Sequence, residues 1–124
     1  MEIGYTTYVV WESYWTDRLT DNAYLNSGPD ARYLVIEISV RNDDTQSRSI
    51  PPFKLIDTAG REYSTTADAF IMPDHIGILS SLNPDVQKDG SIAFDCPAGR
   101  EYKLSVSGGY WTSKNALIQL NPTH

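Results

Sequence analysis

From Arg32 to Asn42 the chain reads RYLVIEISVRN. In an extended backbone Leu34, Ile36, Ile38 and Val40 point one way, and Tyr33, Val35, Glu37, Ser39 and Arg41 point the other. One face is apolar and the other mixed, as in a strand with one side on a core. The same alternation recurs along the chain. Residues 5–15, YTTYVVWESYW, are dense in aromatic and β-branched side chains and predict a first strand. A strict period of two puts Tyr8, Val10 and Glu12 on one face and Val9, Trp11 and Ser13 on the other. Downstream, Phe53 and Leu55, then Ile78 to Leu82, then Ile92, Phe94 and Cys96, then Tyr102, Leu104 and Val106, and finally Ala116 to Leu120 mark further short strands.

The segments between these strands carry turn chemistry. Thr16 to Asp30 is polar, with Asn26, Gly28 and Pro29, and predicts a long connection. Asn42-Asp43-Asp44-Thr45 and Asn83-Pro84-Asp85 are turns, because Asn and Asp bond their own backbone and tolerate left-handed geometry, and Pro97-Ala98-Gly99 is a turn of the Pro and Gly kind. Asp57-Thr58-Ala59-Gly60 predicts a longer-loop hairpin with Gly60 at positive φ. Pro51-Pro52 removes two amide donors, so that stretch is expected at a sheet edge or outside a ladder. Thr65 to Ile76 is the least strand-like part, with room for one helical turn before Pro73. Gly108-Gly109 ends the strand before it. Seven or eight short antiparallel strands at roughly ten-residue spacing predict an all-β sandwich, a single domain over residues 1–124.

Composition narrows the function classes. A length of 124 residues is enough to bury a core without disulfides or metal. The net charge of −6, with ten scattered Lys and Arg, argues against binding a phosphate backbone. Cys96 is the one cysteine, so no internal disulfide forms, and its place at the end of an apolar alternation marks a small buried hydrophobe. No run of 18 apolar residues spans a membrane, and the first residues lack a signal-peptide pattern. The chain is either cytoplasmic or a mature or trimmed form with an added Met1.

Several phrases carry a family resemblance. YLVIEISVRN holds Val40 and Asn42; FKLIDTAGREY holds Phe53, Leu55, Asp57, Gly60 and Tyr63. LNPDVQKDGSIAFDCPAGREYKLSV holds Leu82, Asn83, Pro84, Gly90, Phe94, Pro97, Tyr102, Leu104 and Val106. Over residues 33–120 the chain resembles a bacterial immunoglobulin-like domain family of unknown function, found in secreted proteins and surface lipoproteins. Asp85 stands where that family more often has Gly, and Cys96 where it has Val. The resemblance implies an immunoglobulin-like β-sandwich and an extracellular, cell-surface or periplasmic location, and it carries no active site. The family is sometimes labelled telomeric repeat-binding factor-like. The acidic balance and the lack of a helix-turn-helix pattern oppose that label.

No catalytic motif is present. A zinc site would have to draw on His75, His124 and Cys96, which are far apart in the chain. Asp43, Asp44, Asp57, Asp68, Asp74, Asp85, Asp89 and Asp95 sit in or beside turns, where they suit either turn capping or a calcium-binding carrier role, although no DxDxDG loop exists. There is no GxSxG elbow to seat a serine nucleophile and no phosphate loop. The aromatic residues are the strongest binding candidates: Tyr5, Tyr8, Trp11, Tyr14, Trp15, Tyr110 and Trp111 lie at the two chain ends. Two strands cannot bury them all, which predicts an exposed binding patch drawn from Tyr14, Trp15, Tyr110 and Trp111. The expected function is a non-catalytic interaction module with a protein partner, without a cofactor, nucleic acid or membrane span, and monomeric or weakly dimeric. An edge near Pro51-Pro52 is the other candidate binding surface.

Overall fold

The computed structural model describes residues 2–3, 6–16, 32–49, 53–66, 81–107, 115–120 and 122. Ten strands run through them: β1 (Glu2–Ile3), β2 (Thr6–Thr16), β3 (Tyr33–Asn42), β4 (Arg48–Ser49), β5 (Lys54–Asp57), β6 (Glu62–Ser64), β7 (Ser81–Leu82), β8 (Gln87–Asp95), β9 (Tyr102–Ser107) and β10 (Asn115–Gln119). Seven of them are three residues or longer, in keeping with the strand tally from the sequence. One antiparallel sheet has the order β1-β2-β3-β8 and the other β10-β9-β5-β6, while β4 and β7 form a separate two-residue ladder.

This order is that of an immunoglobulin-like sandwich. In immunoglobulin lettering β2, β3 and β8 take the places of A, B and E. Strands β10, β9, β5 and β6 take those of G, F, C and C′. The inner faces meet in one core that includes Tyr8, Leu34, Ile36, Ile38, Leu55, Ile92, Phe94 and Leu104. Each aliphatic side chain among them contributes roughly 1.5–3 kcal/mol of transfer free energy. Tyr102 opens β9, and its hydroxyl donates to the Pro97 carbonyl at 2.6 Å, the tyrosine corner of this fold. Two residues on, where antibody domains place a cysteine, stands the buried Leu104. Aliphatic packing thus replaces the intersheet disulfide.

The structure departs from strict alternation in the first strand. Val10 pairs with Ile38 and Glu12 with Glu37, so Trp11 is an extra residue between them, a β-bulge. The bulge reverses the parity of β2. Tyr8 faces the core before it, Ser13 and Trp15 after it, and Glu12 lies on the outer face. The assignment of Glu12 to the face of Tyr8 and Val10 is corrected accordingly.

Strand β8 begins at Gln87, earlier than the SIAFDCP phrase suggests, because Asp89 and Gly90 pair with Ser39 and Ile38 of β3. Cross-strand pairing overrides their weak strand propensity. Arg48–Ser49 and Lys54–Asp57 are separate strands in different sheets. Pro51-Pro52 and the expected helical turn within 67–76 lie outside the described residues.

Candidate functional site

The motif residues shared with the resembled family explain themselves as scaffold. Asn42 is buried at the end of β3. Its side-chain amide donates to the carbonyls of Gln46 (2.8 Å) and Leu82 (2.9 Å), and its Oδ1 accepts from the Asp44 N–H at 2.9 Å. Its backbone bonds Val86 and Asp85 across the next turn. That turn runs Asn83-Pro84-Asp85-Val86, closed by Val86 N–H to the Asn83 carbonyl at 3.1 Å. Asp85 sits third with φ +61°, the left-handed position at which a type II turn favours Gly.

Asp57 does comparable work at the β5–β6 hairpin. Its carboxylate accepts the N–H groups of Ala59 and Arg61, each at 2.9 Å, and the Arg61 guanidinium at 2.9 Å. Tyr63 Oη and the Arg100 guanidinium approach the same Oδ2 at 3.4 and 3.7 Å. Burial alone would push this carboxyl up, but the bonds from Arg61 and Ala59 and the charge of Arg61 hold it below the ordinary aspartate range. Gly60 takes φ +82° to close the loop. At this corner Tyr63 packs edge-on against Tyr102, ring centroids 5.8 Å apart.

The outer face of the β2-β3-β8 sheet is different. There Trp11 is 67% exposed, the most exposed of the large apolar side chains described. Its ring is nevertheless held: Nε1–H donates to Ser39 Oγ at 2.5 Å, and Ser39 in turn donates to Asp89 Oδ1 at 2.5 Å. Gln87 Nε2 donates to the same oxygen at 2.9 Å. These bonds, led by that from Ser39, hold the Asp89 carboxyl below its ordinary range. The relay crosses all three strands, so the fold orients an indole that it does not bury.

Glu12 and Glu37 stand directly opposite each other beside it. Among the described residues no lysine or arginine pairs with either. Trp11, Glu37, Ile38, Asp89 and Gly90 line a shallow depression of about 210 Å³. A second depression of about 370 Å³ lies on the other side of Trp11, between β2 and β10.

Of the expected aromatic patch, Trp15 is buried at 6% exposure and packs 6.0 Å from the Tyr102 ring in the core. Its expected exposure is corrected: the bulge at Trp11 turns it inward. Tyr14 is half-buried against Tyr33, Val35 and Ala93 on the outer face. Tyr110 and Trp111 lie outside the described residues. The residue that alternation alone does not single out is Trp11. Its signal is the parity break between Val10 and Trp15, which no unbroken strand can satisfy while burying both.

Metal and thiol chemistry find little support in the described residues, where no group of three or more His, Cys, Asp and Glu side chains is placed to hold an ion. Asp43 accepts from Thr7 and Arg41, Asp44 from Thr45, and Asp57 and Asp89 as given above. His75, His124, Asp68 and Asp74 lie outside the described residues. Cys96 is buried and unpaired, and its burial pushes the thiol up to about 11, away from thiolate chemistry.

A family model described as Domain of unknown function (DUF4352) matches residues 1–116. No curated protein matches. Among solved structures, a candidate lipoprotein of Bacillus subtilis, ycdA, superposes with a TM-score of 0.76 at 14% identity, covering 98% of this chain. The chain spans only 38% of that protein's length. The yjhA protein of the same organism gives 0.73 at 17% identity over 98% of this chain and 95% of its own. The secreted protein MPT63 of Mycobacterium tuberculosis gives 0.64 at 14% identity, covering 92% and 82%. At these identities the likeness is one of fold.

Proposed function

The chain belongs to the family described as Domain of unknown function (DUF4352), and on that footing we propose that it is a non-catalytic, extracytoplasmic interaction domain. It meets a protein partner through the face around Trp11. The observation that carries this reading is the orientation of Trp11: its indole is exposed in water yet fixed by the Ser39–Asp89 relay. Burying a large apolar side chain is worth roughly 1.5–3 kcal/mol, and the fold forgoes that here while taking it at Trp15. Tryptophan is among the side chains enriched at the energetic centres of protein interfaces.

The extracytoplasmic part is supported by the candidate lipoprotein and the secreted protein among the structural relatives. No described helix is long and apolar enough to cross a membrane. We read residues 1–124 as one immunoglobulin-like module, monomeric or weakly dimeric. The non-catalytic part is supported by the inert setting of Cys96 and by a family for which no reaction is named.

Selection of random displayed peptides on the domain tests the reading. Peptides should enrich on the native chain and fail to enrich on Trp11→Ala. That variant should keep its stability to within about 0.5 kcal/mol, as an exposed substitution does. Enrichment of the same peptides on both chains would place the interaction elsewhere and overturn the proposal.

A further inference from the structure

Three features of the Trp11 face are not accounted for by the packing of the core. The first is the indole itself, bonded at its edge to Ser39 and exposed over most of its surface. The second is the pair Glu12 and Glu37, placed opposite each other by the register that the bulge creates. Like charges directly across a ladder repel and weaken the sheet, and here no described cation relieves them. The third is the depression between Trp11, Glu37 and Asp89, which Ile38 and Gly90 also line. At about 210 Å³ it is smaller than the roughly 300–1,000 Å³ of a small-molecule pocket. It has the size for one side chain.

We infer that this face binds a lysine or arginine side chain presented by a partner polypeptide. The cationic head would lie against the Trp11 ring, beside the carboxylates of Glu12, Glu37 and Asp89. This deepens the interaction reading above and rests on it. The charge argument selects the occupant. A cation is attracted to the face of an indole, the best of the aromatic rings for this contact. The same cation would remove the Glu12–Glu37 repulsion that the free domain carries. An acidic segment would add to that repulsion, and a neutral one would leave it in place.

The nearest described arginine on this face, Arg41, is already engaged with Asp43 at 2.6 Å and does not fill the role from within the chain. Asp89 has a second duty, since it also anchors the Ser39 hydroxyl that holds the ring. Glu12 and Glu37 have no such duty, so they are the groups to remove in a test.

The probes are blocked nonapeptides of alternating Thr and Val with Lys, Arg, Gln or Glu at the centre. The readout is the NMR signal of the Trp11 indole N–H, assigned by its loss in Trp11→Phe. The Lys and Arg peptides should shift it saturably and bind about tenfold more tightly than the Gln peptide, the Glu peptide weakest. Salt should narrow the difference, and Glu12→Gln with Glu37→Gln should nearly abolish it while the N–H signal keeps its free position.

Equal binding of all four peptides would overturn the cation inference and leave the interaction reading standing. No shift with any peptide would overturn both. A shift that depends on protein concentration without peptide would assign the face to a second copy of the chain and overturn the inference as well.

Discussion

The Asp57 corner and the Trp11 face are both polar clusters with an aromatic ring at their centre, yet they differ in what the fold asks of them. At the corner, one carboxylate answers two backbone N–H groups, two guanidinium groups and a phenol. Each of these groups is engaged within the chain. On the Trp11 face the ring is oriented by a relay, but two carboxylates oppose each other without a described cation and the indole stands in water. The difference separates polarity that closes turns from polarity left over once the turns are closed. Only the second kind has anything to offer a partner.

The sharpest way to test the comparison is to damage the scaffold side. Asn42→Ala removes two donors and one acceptor from buried or half-buried backbone groups. Groups stranded in this way cost about 1–3 kcal/mol each. The variant should lose about 3 kcal/mol in a denaturant titration while the surviving folded fraction binds peptides normally. Loss of binding without loss of stability would break the distinction.

Tyr102→Phe is a smaller cut. It deletes the hydroxyl's bond to the Pro97 carbonyl and its contact with the Cys96 thiol, and leaves the ring packed against Trp15 and Tyr63. A cost of about 1–2 kcal/mol is expected from the same titration. An unchanged midpoint would mean that the corner is decorative.

The smallest effect has the opposite sign. Glu37→Gln relieves the repulsion across β2 and β3 and should raise stability by about 0.2–1 kcal/mol. It should also weaken binding of the Lys and Arg peptides. A destabilised Glu37→Gln would show that the carboxylate serves the fold after all and would erase the contrast.

Much of the scaffold is legible in the amino-acid sequence. The alternation in Tyr33 to Asn42 places β3 to the residue, because a one-residue slip would turn four aliphatic side chains to water. The Asp57–Gly60 turn is legible because its geometry demands those residue types: an acceptor for the loop N–H groups and a residue that tolerates positive φ. Burial of Cys96 follows from its place in an apolar alternation. The Trp11 face is not legible in the same way. Tyr14 and Trp15 are as aromatic as Trp11, and local sequence offers nothing that ranks them for exposure.

Composition and periodicity by themselves determined the all-β class, most of the strand positions and the turn chemistry, because those depend on near neighbours and on the two-residue repeat of an extended chain. Which aromatic ring faces water was decided by the pairing of β2 with β3. Leu34 to Val40 hold their register against β8, and β2 can bury both Tyr8 and Trp15 against that fixed neighbour only by admitting one extra residue. That residue is Trp11. Its exposure, and the meeting of Glu12 with Glu37, come from a count of residues between two buried positions on a strand whose partner lies 17 or more places further along the chain.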